Sequence, residues 1–192
     1  MDNAYSKDGV DLYRRQILKT GALGILAALC PSISFAKVPL WQSPVKSLSL
    51  YNTHTEESLE TVYWSEGRYL EEPLTEINHI MRDFRTGEIK SIDPRLLDLL
   101  NSIKKRLGVT QPFHIISGYR SPETNALLRK IDKGVASKSL HIKGKAIDIR
   151  LPDIELSALR KVTIGLRRGG VGYYPKSDFI HVDVGRLRYW TG

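Results

Sequence analysis

Apolar residues along this chain alternate at every second position, then recur at helical spacing, then alternate again, and that succession sets the expected elements. SLSLYN (47–52) and LETVYW (59–64) have strand composition, and Ser65-Glu66-Gly67 supplies a turn before a further short extended piece, which predicts a small antiparallel sheet. In EPLTEINHIMRDFRTG (72–87), Ile77, Ile80, Met81 and Phe84 share one helical face and Gly87 can stop the helix. A second helix is marked by Asp93 as cap, Pro94 at its first position, a stripe of Leu96, Leu97, Leu100, Ile103 and Leu107, and Gly108 at its end. FHIIS (113–117) reads as a buried strand, followed by Gly118-Tyr119-Arg120 and a helix from Ser121-Pro122 through Ala126 to Arg129. A last helix is expected from Asp153, its cap, to about Arg168, with Leu156, Leu159, Thr163 and Leu166 inward and Gly169-Gly170 ending it. Strands on either side of it complete an α+β domain with an antiparallel sheet in its second half.

The length of 192 residues and the 41% apolar content allow one domain with a real core. A net charge of +8 asks for an acidic partner, but no run of five or six basic residues and no basic region interleaved with aromatics is present, so nucleic acid is not expected. Cys30, the only cysteine, lies in an apolar N-terminal stretch, and Leu29 before it does not suit lipoprotein acylation. In DLYRRQILKTGALGILAALCPSISFA (11–36), Arg14 and Arg15 precede that stretch, and Ser34-Phe35-Ala36 offers small residues for a signal peptidase. YRRQILK resembles the twin-arginine export motif, with Tyr13 and Ile17 departing from its preferred residues. A bilayer span needs about 20 apolar residues, and Pro31 interrupts this stretch. The expected organisation is a signal peptide over 1–36 cleaved after Ala36, a linker over 37–46 and one domain over 47–192. That places the mature chain in the periplasm, exported by the twin-arginine machinery, without a membrane span.

Two segments carry chemistry. In SLHIKGKAIDIRL (139–151), alternation sends Ile147, Ile149 and Leu151 to one face and Ala146, Asp148 and Arg150 to the other, and a bend at Gly144 lets His141 fold back towards Asp148. In SDFIHVDVG (177–185), Ile180, Val182 and Val184 are buried-face candidates, which leaves His181 and Asp183 opposite. Alone, HxxGxAxD is equally a capped strand with a surface histidine; the second segment makes two imidazoles and a carboxylate available to one ion. Three protein ligands with an open fourth position are the arrangement of a catalytic zinc, which lowers the pKa of a water to about 7 and polarises the carbonyl under attack. Asp178, three residues before His181, can serve as general acid and base without being a ligand, and Asp183 reads as the partner of a ligand histidine. His79 reads as a packed or surface residue and His114 as structural, and aromatic core is the default reading for Tyr173, Tyr174 and Trp190.

Ser139-x-His141-x-x-Gly144-x-Ala146-x-Asp148, followed by Asp178-x-x-His181, resembles the motif pair of the zinc D-Ala-D-Ala peptidases that share the hedgehog and DD-peptidase fold. SGYRS, RLLDLL, DFRTGE and the ending GGVGYYP…FIHVDVGR…W make the chain similar to the twin-arginine-exported murein DD-endopeptidase K group over residues 47–190. The resemblance implies an antiparallel sheet with helices packed on it, Zn2+ held by His141, Asp148 and His181, and acid/base work by Asp178, where many relatives have Glu. It assigns Arg120 to steadying the carbonyl oxygen or a substrate carboxylate, and Ser139 to contacting substrate, where a loop hydrogen bond is the competing reading. The implied activity is a monomeric zinc metallopeptidase cutting the cross-linked stem peptides of peptidoglycan. Two rivals stand beside it, a D-Ala-D-Ala carboxypeptidase and a non-enzymatic wall-binding module.

Overall fold

The computed structural model describes residues 44–132 and 134–192. The expected export signal, the expected cleavage after Ala36 and the expected linker up to residue 43 lie outside the described residues. The elements in chain order are β1 (Lys46–Asn52), β2 (Ser58–Ser65), β3 (Arg68–Tyr69), α1 (Glu71–Ile80), α2 (Pro94–Leu107), β4 (Phe113–Ser117), α3 (Pro122–Ile131), β5 (Ala146–Arg150), α4 (Leu156–Gly165), β6 (Gly170–Tyr174), β7 (Phe179–Asp183) and β8 (Arg188–Thr191). Among the described residues no helix is long and apolar enough to cross a membrane.

All eight strands form one mostly antiparallel sheet in the order β3-β2-β1-β4-β5-β7-β6-β8. The expected N-terminal sheet and the second-half sheet are thus continuous. They join where β1 runs parallel to β4, a pairing that needs the long α1–α2 crossover and leaves no local trace in sequence. A second parallel pair, β6 with β8, closes the far edge. One face of the sheet carries Leu48, Leu50, Phe113, Ile115, Ile147, Ile149, Ile180 and Val182, which pack with Ile77 and Ile80 of α1, Leu96, Leu97, Leu100 and Ile103 of α2, and Leu159 of α4. Each fully buried aliphatic side chain there stabilises the fold by about 1.5–3 kcal/mol. Because strand residues alternate, burying that face turns Asp148, Arg150, His181, Asp183, Gly172, Tyr174 and Trp190 to the other.

The helix ends follow local chemistry where it is uncontested. The Asp93 carboxylate accepts from Arg95 N–H at 3.0 Å, and Gly108 ends α2 in the left-handed region at φ 68°. Ser121 Oγ accepts from Thr124 N–H at 3.0 Å and starts α3, which runs to Ile131, past the expected Arg129. Two expected boundaries are corrected. Helix α1 stops at Ile80 and does not reach Gly87, since Asp83 gives its carboxylate to Ser121 N–H and Arg85 N–H instead of continuing a helical face. Phe84 therefore leaves the helical stripe and stacks on His54 at 3.7 Å. Asp153 does not cap α4: it sits at φ 64°, and the helix begins three residues later at Leu156.

Candidate metal centre

The sheet register places one residue from each of five strands in a row across the open face. Ser117 lies opposite Asp148, Asp148 opposite His181, His181 opposite Gly172, and Gly172 opposite Trp190. His141 enters from outside the sheet, on a single 3-10 turn, His141–Lys143, ended by Gly144 at φ 63°. Any side chain at Gly144 would collide with the Ser91 carbonyl as well as straining the backbone, so only glycine lets this turn seat against the loop before α2.

Three side-chain atoms converge. His141 Nε2 lies 3.1 Å from His181 Nδ1, His181 Nδ1 lies 2.9 Å from Asp148 Oδ1, and His141 Nε2 lies 3.3 Å from the same oxygen. All three residues are buried, and no other group of three or more His, Cys, Asp or Glu among the described residues is placed to share an ion. The outer ring nitrogens are both held by protein acceptors. His141 Nδ1 donates to the Gly118 carbonyl at 2.7 Å, which can only accept, so Nε2 presents a lone pair. His181 Nε2 donates to Asp183 Oδ2 at 3.0 Å, which leaves Nδ1, facing Asp148 at 2.9 Å, to carry either a proton or a metal ion. The His141 lone pair, His181 Nδ1 and the Asp148 oxygen lie so close that a positive charge belongs among them, either a proton on Nδ1 or a metal ion in its place. A tetrahedral ion with bonds of about 2.0–2.1 Å sets its ligand atoms roughly 3.3 Å apart, close to the separations found, so the residues fit zinc.

The electrostatics agree. Burial works against a charged Asp148, but the facing His141 and His181 outweigh it and hold the carboxyl well below the usual range. Burial pushes the His141 imidazole down, in favour of the neutral form a ligand requires. His181 is penalised by burial too, yet Asp148 and Asp183 on its two sides push it up to about 9. An imidazole held between two carboxylates in this way is an attractive seat for positive charge.

Over residues 42–190 the chain matches the family described as peptidoglycan L,D-endopeptidase MepK. The chain belongs to this family. Peptidoglycan L,D-endopeptidase MepK of Escherichia coli (strain K12) is 43% identical over 183 residues, covering 95% of this chain and all (100%) of the relative. A probable peptidoglycan L,D-endopeptidase MepK of Haemophilus influenzae is 36% identical over 184 residues, covering 95% of this chain and 98% of the relative. No solved structure matches. The motif resemblance is borne out at the level of the family.

The other site residues of this MepK-family chain take distinct positions. Arg120 stands beside the centre, with Nη2 at 3.7 Å from Asp148 Oδ2 and only long contacts, 3.5 Å each, to Asn125 Oδ1 and Ser117 Oγ. Its Nε is buried without a partner. Ser139 is buried and its hydroxyl accepts from His141 N–H at 3.3 Å, the loop hydrogen bond that competed with substrate contact. Asp178 is not among the converging atoms. It occupies the left-handed region at φ 52°, is exposed, and accepts from Arg150 Nη1 at 3.1 Å. Of the three aromatics read as core, only Tyr173 faces the helices, under Arg160. Tyr174 and Trp190 stand on the open face, with Trp190 at 5.2 Å from the His181 ring. The Gly118 carbonyl had no signal in the sequence, because a backbone acceptor carries none.

The turn that delivers Arg120 hangs on Asp83, which is 1% exposed. Burial raises its pKa, but hydrogen bonds from the Thr124 hydroxyl and the Ser121 and Arg85 N–H groups outweigh that and lower it. A carboxyl lowered in the folded state stabilises fully above its unfolded pKa of about 3.9, and that contribution is lost as pH falls through the folded value. Asp83→Asn is therefore expected to destabilise by about 1–3 kcal/mol at neutral pH. In urea titrations the gap to wild type should narrow below pH ~4; a gap constant with pH would show that the carboxylate charge is not what holds the turn.

Proposed function

We propose that the chain is a zinc-dependent peptidoglycan endopeptidase that cuts L,D peptide cross-links in the periplasm. The reading rests on the convergence of His141, Asp148 and His181, each outer nitrogen held by a protein acceptor. The relatives' activity is named for an L,D bond, which narrows the substrate from cross-linked stem peptides in general to those so linked. In this reading His141 Nε2, Asp148 Oδ1 and His181 Nδ1 are the ligands. Zinc bound there supplies a Lewis acid and a water activated near neutral pH. Arg120 steadies the carbonyl oxygen, Asp178 takes the proton from the attacking water and returns it to the leaving amine, and Ser139 orients His141 and the substrate. Residues 1–36 act as a twin-arginine export signal removed after Ala36, residues 37–46 as a linker, and residues 47–192 as the catalytic domain of a monomer.

The test is digestion of defined muropeptides with the purified protein, with added zinc or with a chelator, and products read by mass. L,D-cross-linked dimers are expected to become monomers with zinc and to stay intact with chelator. Release of terminal D-Ala alone would establish the carboxypeptidase instead, and intact substrate held tightly on sacculi the binding module.

A further inference from the structure

Strand β8, at one edge of the sheet, supplies none of the residues in the reading above, yet Trp190 packs against His181 and Arg188 reaches the Asp183 carboxylate that His181 donates to. Trp190 lies opposite Gly172 in the β6–β8 pair, and Gly172 lies opposite His181 in the β6–β7 pair. A Cβ on Gly172 would stand 2.6 Å from the indole, so the missing side chain is what lets the ring down onto the sheet. There it meets the His181 ring, centroids 5.2 Å apart, while its N–H donates to Tyr174 Oη at 2.9 Å and Tyr174 stacks on Phe179 at 4.6 Å. Arg188 approaches from the other side. Its Nη2 donates to Asp183 Oδ2 at 2.6 Å and its Nη1 to Oδ1 at 3.2 Å, and Oδ2 is the oxygen that accepts from His181 Nε2. The Arg188 guanidinium also sits 5.0 Å from the centre of the Trp190 ring, tying the two anchors together.

Resting on the zinc reading, we propose that β8 positions His181 as a metal ligand, Trp190 by packing against its ring and Arg188 through Asp183, so that metal affinity is set from the edge of the sheet. With Asp148 at one nitrogen, Asp183 at the other and indole beside it, the imidazole has one orientation. Removing the indole frees it to turn, and removing the guanidinium loosens the carboxylate that orients it. Tyr189 is the internal control: it belongs to the same strand, but it faces the other way, is exposed, and reaches only the Ile164 carbonyl at 3.5 Å.

The experiment strips the full chain of metal and measures zinc affinity by competition with a chromophoric chelator, with circular dichroism to confirm that each variant is folded. Trp190→Ala is expected to weaken zinc binding by about 10–100-fold and Arg188→Gln by about 10-fold, whereas Trp190→Phe and Tyr189→Ala stay within about 3-fold of wild type. Cobalt loading should quench a share of the tryptophan emission in wild type that is missing in Trp190→Phe. Should Arg188→Gln fail to fold with Asp183 left unpaired, the two Trp190 variants still decide the matter. Trp190→Ala binding zinc as tightly as wild type overturns the proposal alone, as does Tyr189→Ala weakening binding equally, which would make strand stability the cause. A wild-type chain that binds no zinc removes the functional reading and the proposal together.

Discussion

His141→Ala is expected to lose metal and turnover together. His141 Nε2 is one of the three converging donors, within 3.3 Å of both others, and alanine offers nothing in its place. Zinc held by a full ligand set is bound by about 10–16 kcal/mol, so one of four ligands contributes roughly 2.5–4 kcal/mol, an affinity loss of about two to three orders of magnitude. The fold itself should survive, since His141 lies on the open face and not among the apolar side chains packed under the sheet. Zinc content after dialysis and muropeptide turnover, measured on the same sample, test this. His141→Ala holding zinc at wild-type affinity would mean that the ion sits elsewhere.

How much of this site could be read in the sequence depends on whether each feature is decided locally. The faces of β5 and β7 follow from period-two alternation over five residues each, and both carry their polar residues where alternation puts them. The ends of α2 follow from Asp93, Pro94 and Gly108, which act within one turn. The end of α1 was beyond reach because Asp83 is claimed by Ser121, 38 residues away. Asp153 has the composition of a helix cap, but its backbone is in the left-handed region and the chain enters α4 without it. The pairing of β1 with β4 and of β6 with β8 depends on contacts across the whole domain. Gly172 shows the same limit: in sequence it is one glycine in a glycine-rich stretch, and its meaning appears only when Trp190 is found lying on it.

Asp178→Ala is expected to keep the metal and lose turnover. The Asp178 carboxylate makes no contact with His141, Asp148 or His181; its partner is Arg150, on the same strand and face as Asp148. Removing it should therefore leave zinc affinity within about 3-fold of wild type, well short of the 10-fold or greater loss that follows when a ligand's supporting partner is removed. A general acid/base contributes about 10²–10⁴-fold, which sets the expected fall in kcat, and Asp178→Glu, one methylene longer, should recover part of it. Asp183 is the competing carboxylate, but it is fully buried. Its oxygens already accept from Gly170 N–H, Gly185 N–H, Arg188 and His181, which leaves no lone pair for a reacting water. Single-turnover rates with zinc-loaded Asp178→Ala test the role of Asp178. Near-wild-type rates would remove Asp178 from the chemistry, and because Asp183 is fully engaged, the proton would then have to leave by a route that uses neither carboxylate.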